Sequence, residues 1–338
     1  MQEAGMELLD TLTHTASIGP FDALRHLCRF ARARDLLQHH VQTRRPDLVI
    51  LVDFGDFNLP VVAPLAKRAG CRIVYFISPQ IWAWGRFRLR WVKQYVDRML
   101  VFFPFEERFY QAAGVPVTWV GHPLIDTANA SGSKEQAQHA LHLNPWRTTV
   151  GLLPGSRTQE VLRHLPVFVA AARRIAWHMP GVQFVLPKAP GIPPSLFDRI
   201  GRHAECEVIA VDNRFYDALQ VMDAAVVASG TTTLEAALFE VPMVVVYKTS
   251  WPTYLAAKAV VRVPHIAMVN VLMQEDVVPE YIQHRATPSH IATELVGLLR
   301  DAARQTTMKA KLRQAKDRLG PPGAIDRAAH AILEELRR

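Results

Sequence analysis

One turn between a strand and a helix gives the clearest indication of a binding site in this chain. The apolar run at 224–228 is typical of a buried strand, and a turn of one glycine and three hydroxyl residues follows it, with a glutamate one turn further on. Such a joint presents free backbone N–H groups and the positive end of a helix dipole to an anion. It predicts a ligand with phosphates and a ribose, although the same residue types also start ordinary helices. The predicted site comprises Ser229, Gly230, Thr231, Thr232 and Glu235.

A second turn in the same half of the chain has similar properties. Gly155 and Ser156 follow an apolar run and let the backbone approach an anion, while Arg157 offers a fork of donors that matches phosphate oxygens. Two such turns at strand ends favour a nucleotide-diphosphate site over plain loops. Neither turn has the spacing of a Walker A or a dinucleotide-binding motif, which argues against ATP hydrolysis and hydride transfer.

An acidic residue at another strand end is the candidate catalytic base. Asp53 follows an apolar run, where its carboxylate can take a proton from an acceptor hydroxyl during displacement at a sugar carbon. The alternative is that Asp53 or Asp56 caps the following turn, and for Asp56 this is the preferred interpretation. His122, in a Gly-His-Pro turn, is a second candidate for a base or a phosphate donor, or only part of an ordered turn. No cluster of His, Cys or carboxylates has metal-ligand spacing, so we expect neither a metal nor a cofactor.

Cations and aromatic rings alternate along the segment 82–93, which we call the basic aromatic segment. This mixture is typical of a surface that meets lipid headgroups and phosphates. Stacking on single-stranded nucleic acid and an ordinary amphipathic helix are the alternatives, and no nucleic-acid-binding module is apparent. We predict an acceptor or membrane surface formed by Gln80, Trp82, Trp84, Arg86, Arg88, Arg90, Trp91 and Lys93.

The composition is that of a globular protein with an acidic partner. Of the 338 residues, 49% are hydrophobic and 21% are charged, and the formal net charge is +8. The cysteines show no paired spacing, which favours a reducing compartment. No apolar run reaches the roughly 18 residues of a membrane span, and no signal peptide is apparent. We therefore expect a cytoplasmic protein that meets a membrane only at its surface.

Short apolar runs alternate with helical patterns along the chain, which predicts an α/β fold with parallel sheets covered by helices. We expect two Rossmann-like domains that face a cleft, an acceptor-side domain at 1–145 and a donor-binding domain at 146–302, with the polar stretch 126–145 as the link. The charged segment 303–338 is predicted to be helical and to pack across the cleft, and a further helix is predicted over 18–34. The predicted strands are Leu48–Val52, Ile73–Ile77, Met99–Phe103, Val117–Val120, Val150–Leu153, Gln183–Leu186, Glu207–Val211, Ala224–Val227 and Val244–Tyr247.

Six motifs, in order along nearly the whole chain, resemble those of lipid-A-disaccharide synthases. Together they are far more specific than any one of them alone. The motifs are Asp53-Phe-Gly-Asp-Phe-Asn58, Ser78-Pro-Gln-Ile-Trp-Ala-Trp84, Phe103-Pro-Phe-Glu106, Val120-Gly-His-Pro123, Leu153-Pro-Gly-Ser-Arg157 and Ala228-Ser-Gly-Thr-Thr-Thr-Leu-Glu235.

The resemblance implies an inverting glycosyltransferase of the GT-B type. It would join UDP-2,3-diacylglucosamine to 2,3-diacylglucosamine 1-phosphate at the cytoplasmic face of the inner membrane, giving the tetraacyl disaccharide 1-phosphate and UDP. Asp53 would be the base. Arg157 and the 229–231 turn would hold the diphosphate, and Glu235 would hold the ribose. Nucleic acid is not expected as a partner, and a homodimer stays open. Further family positions near the donor match Asn270, Glu280 and Gln283.

Two features depart from the family pattern. Family members begin with a strand and a Gly-rich loop, whereas the first residues of this chain match an internal family segment. The first domain is therefore predicted to be incomplete at its amino terminus, which would leave buried N–H groups of its sheet uncovered. In His265-Ile-Ala-Met-Val-Asn270 the proline that the family has directly before the asparagine is missing, so the donor loop is expected to differ.

Two other functions share these motifs. A nucleotide-sugar epimerase would use the same phosphate turns, but it would need neither an acceptor nor the basic aromatic segment. An inactive, membrane-associated relative would bind a UDP sugar without transferring it.

Overall fold

The computed structural model describes residues 5–10, 27–193, 195–197, 206–261 and 263–338. The chain divides into unit 1, which is Met1–Pro123 with Gly323–Arg338, and unit 2, which is Leu124–Pro322. Each unit has one sheet in which all strands run parallel. This confirms the predicted α/β fold with two parallel-sheet domains.

Unit 1 is built on a four-stranded sheet in the order β1-β2-β3-β4. Side chains of β2 alternate between two core clusters: Ile73 and Tyr75 lie in one and Val74 in the other. This is the two-residue period of a strand that is covered on both faces. The strands are β1 (Leu48–Val52), β2 (Arg72–Phe76), β3 (Arg98–Val101) and β4 (Val117–Trp119).

Helices in the first part of unit 1 cover one face of this sheet. Ala33 and Val41 of the first helix belong to the same core cluster as Ile73 and Tyr75. After β1 the chain forms three short consecutive helical pieces, of which the middle one is π-helical. The helices are α1 (Leu27–Arg44), α2 (Gly55–Phe57), the π-helix (Asn58–Val62), α3 (Ala63–Arg68), a 3₁₀ turn (Arg86–Arg88), α4 (Leu89–Tyr95) and α5 (Pro104–Ala112).

Unit 2 is built on a six-stranded sheet in the order β10-β9-β8-β5-β6-β7. The two central strands, β5 and β8, are buried at every residue, as expected for strands with helices on both faces. The strands are β5 (Thr149–Leu153), β6 (Gln183–Lys188), β7 (Val208–Asp212), β8 (Ala224–Ala228), β9 (Met243–Tyr247) and β10 (Glu280–Ile282).

Nine helices of unit 2 lie within the part of the chain whose helix bounds are described. They are α6 (Leu124–Thr127), α7 (Lys134–Ala140), α8 (Thr158–His178), α9 (Phe215–Val221), α10 (Thr232–Leu238), α11 (Trp251–Val260), α12 (Met268–Met273), α13 (Pro288–Arg300) and α14 (Ala302–Arg318).

The chain passes from unit 1 to unit 2 earlier than the predicted boundary at 145. The segment before α7 is tied to α9, because the Ser131 amide donates to the Asp217 carboxylate at 2.7 Å and the Ser131 hydroxyl donates to the same group. These bonds join the polar stretch that the sequence predicts as a link to unit 2.

The predicted carboxy-terminal helical segment, 303–338, is shared between the units. Helix α14 belongs to unit 2, whereas the last helix, α15 (Ala324–Leu336), belongs to unit 1. Ala328 and Ala331 of α15 share a core cluster with Val74 and Leu100. The last helix therefore covers the second face of the unit 1 sheet.

Every predicted strand is present, with ends that differ by at most two residues. Strand β10 was not predicted, because its three residues are too few for a periodic signal. Of the helix predicted over 18–34, the described part belongs to α1 (Leu27–Arg44), which continues ten residues beyond the predicted end. The part of that prediction before residue 27 lies outside the described residues.

Candidate functional site

The polar residues predicted for the site follow strands at the edge of each sheet where ligands of open parallel sheets bind. In unit 1, Asp53 follows β1 and His122 follows β4. In unit 2 the two predicted turns follow β5 and β8, and these strands are hydrogen-bonded neighbours. The fold of unit 2 therefore brings its two candidate phosphate turns side by side.

The backbone at Asp53 has a conformation that few residues adopt. Asp53 and Phe54 have φ of 45° and 44°, and Ile77 at the end of β2 has φ of 67°, which is the left-handed region that β-branched residues avoid. The Asp53 carbonyl accepts hydrogen bonds from the Tyr75 hydroxyl at 2.5 Å and from the Asn58 side-chain amide at 2.8 Å. Strain that is held in this way is typical of functional sites.

The carboxylate of Asp53 is available to a ligand. The residue is exposed, and no described residue donates a hydrogen bond to its carboxylate. A carboxylate at the end of β1 with no protein partner among the described residues fits the predicted role as a base.

Arg88 departs from the predicted surface. Its side chain is buried, pairs with the Asp56 carboxylate and lies over the Trp84 ring, with its guanidinium carbon 4.0 Å from the ring centroid. Asp56 therefore has a structural role, as the sequence favoured, but as a counter-ion for Arg88. The sequence could not show this pair because its members lie more than thirty positions apart.

The rest of the basic aromatic segment is accessible. Trp84 and Phe87 are 36% and 59% exposed, and Trp82 and Trp91 are half-buried. The polar members that keep access to solvent are Gln80, Arg86, Arg90 and Lys93.

His122 lies inside unit 1. The residue is buried, and its ring centroid lies 5.1 Å and 5.3 Å from those of Phe102 and Phe103. Burial lowers the pKa of His122 to about 4, so the imidazole is neutral near pH 7. A neutral imidazole keeps one N–H donor and one acceptor nitrogen, so the roles of His122 as a base or as a phosphate donor stay predictions.

Glu106 is a buried carboxyl that the sequence did not single out. It accepts hydrogen bonds from the Trp82 indole at 3.1 Å and from the amides of Phe102 and Phe103 at 3.3 and 3.2 Å. Burial raises the pKa of Glu106 to about 7, against these hydrogen bonds and one from Ser78, which lower it. Glu106 links the start of α5 to the first ring of the basic aromatic segment.

The burial of Glu106 predicts a pH dependence of stability. Its pKa is about 7 in the folded chain, against an ordinary value of 4.5, so the folded state holds an extra proton between these values. Below pH 4.5 the contribution of Glu106 to the free energy of unfolding is complete. As the pH rises to about 7, the free energy of unfolding falls by about 3 kcal/mol. Urea unfolding should show the wild type losing this amount relative to Glu106→Gln across that window. A difference that does not change with pH would contradict the assignment.

The turn at Gly155, Ser156 and Arg157 does not present free amides. The amides of Ser156 and Arg157 donate to Glu160 Oε2 at 3.2 and 3.4 Å. Gly155 has φ of 110°, and a Cβ atom there would lie 2.5 Å from the Glu160 carboxylate, so the glycine permits this close approach. The carboxylate occupies the amides that the sequence assigns to a phosphate.

Arg157 keeps donors for an anion at this turn. One guanidinium nitrogen pairs with Glu160 Oε1 at 2.9 Å, and the side chain is 58% exposed. A guanidinium has five N–H donors, so most of them stay available. At this turn the side chain is therefore the group that can meet a phosphate.

The turn after β8 has the free amides that the sequence predicted. No described residue accepts a hydrogen bond from the amides of Gly230, Thr231 or Thr232. The Ser229 hydroxyl donates to the Ile266 carbonyl at 2.7 Å, so this side chain anchors the turn. The three amides point to the stronger of the two candidate anion sites.

Glu235 is held by a tyrosine that the sequence did not indicate. The Tyr216 hydroxyl donates to Glu235 Oε1 at 3.1 Å, and its ring stacks on Phe239. Burial raises the pKa of Glu235, while hydrogen bonds from Tyr216 and Thr232 lower it. A carboxylate in this setting can accept hydroxyl donors such as those of a ribose.

Asn270 and Glu280 form hydrogen bonds that hold two backbone segments of unit 2 together, at 266–267 and at 277–278. Asn270 is fully buried, and it donates to the Val278 carbonyl at 2.9 Å and to Glu280 at 2.8 Å. Its carbonyl oxygen accepts the amides of Val277 and Val278, both at 3.0 Å. Glu280 also accepts the amides of Ile266 and Ala267. These contacts fix the segment before α12, including the carbonyl to which Ser229 donates.

Gln283 has a similar role. It is buried, accepts the Thr249 amide at 3.1 Å and donates to the Thr249 carbonyl at 2.9 Å. The structure therefore engages all three of these residues in the protein's own hydrogen bonds.

His164 connects Pro154, directly before the turn at 155–157, to Lys248, directly after β9. Its Nε2 accepts the Lys248 amide at 2.9 Å, so its Nδ1 carries the proton that is donated to the Pro154 carbonyl at 3.1 Å. Burial lowers the pKa of His164. The histidine lies inside α8, and nothing in the local sequence indicated its partners.

Metal clusters and membrane-spanning helices are both absent from the part of the chain that the structure describes. The described residues contain no group of three or more His, Cys, Asp or Glu side chains that could hold a metal ion. None of the described helices is long and apolar enough to cross a membrane.

The chain matches known proteins over almost its whole length. A family model described as lipid-A-disaccharide synthetase matches residues 1–332. The lipid-A-disaccharide synthase of Geobacter metallireducens is 41% identical over 336 residues, which are 99% of this chain and 87% of that protein. The synthase of Syntrophus aciditrophicus is 40% identical, over 100% of this chain and 88% of its own length.

Solved structures share the fold at low identity. A complex of S. aureus MnaA with UDP has a TM-score of 0.63 at 13% identity, covering 98% of this chain and 82% of that one. The calicheamicin glycosyltransferase CalG4 has a TM-score of 0.58 at 16% identity, covering 98% and 85%. A UDP-GlcNAc 2-epimerase from Neisseria meningitidis has a TM-score of 0.62 at 13% identity, covering 94% of this chain and 84% of that one. The fold is thus shared by a glycosyltransferase and an epimerase, and the family match decides between the two activities. The chain belongs to the lipid-A-disaccharide synthases, glycosyltransferases of lipid A biosynthesis.

Proposed function

We propose that this chain transfers a diacylglucosaminyl group from UDP-2,3-diacylglucosamine to 2,3-diacylglucosamine 1-phosphate. The observation that carries the proposal is the turn after β8, where three amides without an acceptor among the described residues lie near Glu235. The carboxylate of Glu235 receives the ribose hydroxyls, and the amides of Gly230, Thr231 and Thr232 receive the diphosphate. Fixed N–H dipoles of this kind stabilise the charge that develops on a leaving diphosphate.

The reaction is a single displacement with inversion at the anomeric carbon. Asp53 takes the proton of the acceptor hydroxyl, and the hydroxyl oxygen forms the new bond to the anomeric carbon. The bond from that carbon to the diphosphate oxygen breaks, and UDP leaves with the electron pair. The proposal is supported by the exposed carboxylate of Asp53, to which no described residue donates.

Arg157 contributes to the binding of the donor. Arg157→Ala should weaken UDP binding by about 2 kcal/mol, because a charge-assisted contact to a phosphate is lost. Calorimetric titration with UDP measures this as a dissociation constant that rises about thirtyfold. Arg163→Ala, further along the same helix, is the control and should bind UDP normally. An unchanged dissociation constant in Arg157→Ala would remove this residue from the donor site.

The basic aromatic segment meets the acceptor at the cytoplasmic surface of the inner membrane. Arg86, Arg90 and Lys93 offer cations to the acceptor phosphate and to anionic lipids, and Trp84 and Phe87 offer apolar area to the acyl chains. The exposure of these five side chains supports the proposal. Self-association into a homodimer stays a prediction.

The two rival functions predict different outcomes when substrates are supplied. An epimerase would change the configuration of the donor sugar in the absence of any acceptor, and an inactive relative would bind UDP without turnover. UDP release should be measured with the donor alone and with donor plus acceptor. We expect release only when both are present, together with the disaccharide product. A donor epimer, or no release at all, would support one of the rivals.

A further inference from the structure

Helix α11 is an apolar helix without a buried residue. Trp251, Leu255 and Val260 are 57%, 60% and 50% exposed, and Val261, which follows the helix, is 36% exposed. An apolar helix is normally buried in a protein core or in lipid. A contiguous exposed apolar surface of this kind marks an interaction site.

The exposed side chains form a stripe along the helix. Trp251, Leu255 and Lys258 follow each other at spacings of four and three positions, which places them on one face, and the Tyr254 ring contacts that of Trp251. Lys258 is the only charged residue in the sequence of this helix. A lysine within an apolar stripe can bury its stem and keep its ammonium group in water.

The sequence around this helix carries positive charge alone. Between Glu240 and Glu275 the sequence has no Asp or Glu, whereas it has Lys248, Lys258 and Arg262. Cations with tryptophan and aliphatic side chains are the composition of helices that lie in the interface of an anionic bilayer. If a second protein chain covered this helix, we would expect charges of both signs around it.

The position of α11 connects this surface to the donor site. The helix begins shortly after the carboxyl end of β9, where Ser250 caps it by accepting the Thr253 amide and Pro252 fixes its first turn. Strand β9 pairs with β8, whose own end carries the Ser229–Thr232 turn. The apolar helix and the donor turn therefore follow neighbouring strands at one edge of the unit 2 sheet.

We propose that α11 lies on an anionic bilayer as an interfacial helix, with Trp251 and Leu255 in the boundary between headgroups and acyl chains. The helix is about 15 Å long, too short to cross the hydrocarbon region. This inference rests on the proposed function at the membrane surface and adds a second lipid contact, in unit 2. Such a contact holds the donor turn next to the layer that contains the acyl chains of both substrates.

Vesicle binding tests the inference. The full chain is mixed with vesicles of phosphatidylethanolamine and phosphatidylglycerol, and the bound fraction is measured by flotation. The double variant Trp251→Ser, Leu255→Asp should bind at least about tenfold more weakly, because it loses two apolar side chains that the bilayer would bury and gains a negative charge. The control variant Trp146→Ser, Trp177→Ser removes side chains of unit 2 that are 93% and 78% exposed, and it should bind as the wild type does. UDP affinity should be unchanged in both, which shows that unit 2 is folded.

A third variant separates this inference from the proposed function. Arg86→Glu, Arg90→Glu changes the basic aromatic segment and leaves α11 intact. If this variant loses vesicle binding while the α11 variant retains it, the inference about α11 is wrong and the proposed membrane surface stands. If no variant changes vesicle binding, both are wrong. If the α11 variant instead dissolves a dimer and binds vesicles normally, the helix contacts a second copy and the inference is overturned.

Discussion

An Asp53→Asn enzyme is expected to bind UDP with unchanged affinity and to transfer the sugar about a thousandfold more slowly. A positioned general base contributes about 10² to 10⁴ in rate, and the asparagine amide cannot accept the proton. The substitution keeps the backbone, because Asn tolerates the left-handed conformation at φ of 45°. Initial rates at saturating donor and acceptor give the loss in kcat, and calorimetry gives the UDP affinity.

Asp56→Asn is the matched control for this experiment. It removes a carboxylate three positions away that pairs with the buried Arg88. Stability should fall, since a buried cation loses its partner, but the rate of the folded enzyme should stay within about tenfold of the wild type. A normal rate in Asp53→Asn, or equal losses in the two variants, would remove Asp53 from the chemistry.

Asn270→Ala should destabilise unit 2 by about 3 kcal/mol. The change leaves the amides of Val277 and Val278 and the carbonyl of Val278 without their partner in a fully buried place, and each unsatisfied buried group costs roughly 1–3 kcal/mol. For a unit of this size we expect the unfolding temperature to fall by about 10 °C. Differential scanning calorimetry measures the shift.

The control for Asn270 is Asn129→Ala. Asn129 is exposed and donates one side-chain hydrogen bond, to the Asp126 carbonyl, so its loss should cost about 1 kcal/mol or less. UDP affinity of Asn270→Ala, measured below its unfolding temperature, should change little. A variant with normal stability and lost UDP affinity would show that Asn270 contacts the donor, as its match to the family pattern implied.

The strands could be predicted because both sheets are parallel and covered by helices. Their central strands are continuous apolar runs, such as 224–228, and these stand out against the surrounding helical patterns. Asp53 and the 229–232 turn directly follow strands, as these runs predicted, and their roles stay predictions. The packing of α15 in unit 1 could not be predicted from the sequence, because the small apolar face formed by Ala328 and Ala331 could pack against many surfaces.

Two features that the sequence did not indicate share one origin, a glutamate side chain that folds back on the backbone before its own helix. Glu106 and Glu160 are each the third residue of a helix, and each accepts amides from the turn before it. This arrangement is signalled in a sequence by Ser or Thr at the helix cap. Here the caps are Phe103 and Arg157, so nothing in the sequence indicated that the amides at 156 and 157 are occupied.

The burial of Arg88 and His122 shows a second limit. From residue type alone, cations and histidines are expected at the surface, where most of them lie in folded proteins. Arg88 is buried with Asp56 as its counter-ion, and burial among aromatic side chains lowers the pKa of His122 and keeps its ring neutral. Both partnerships depend on tertiary contacts that no spacing in the sequence reveals.

Hydrogen exchange at the 229–232 turn tests most directly whether free amides of this turn receive the diphosphate. Exchange is followed by mass spectrometry, with and without saturating UDP, on peptides that cover this turn and the turn at 155–157. We expect UDP to slow exchange at Gly230, Thr231 and Thr232 strongly, and to change it little at Ser156 and Arg157, whose amides are already bonded to Glu160. Saturable binding of UDP with no slowing at the 229–232 turn would contradict the proposed donor site.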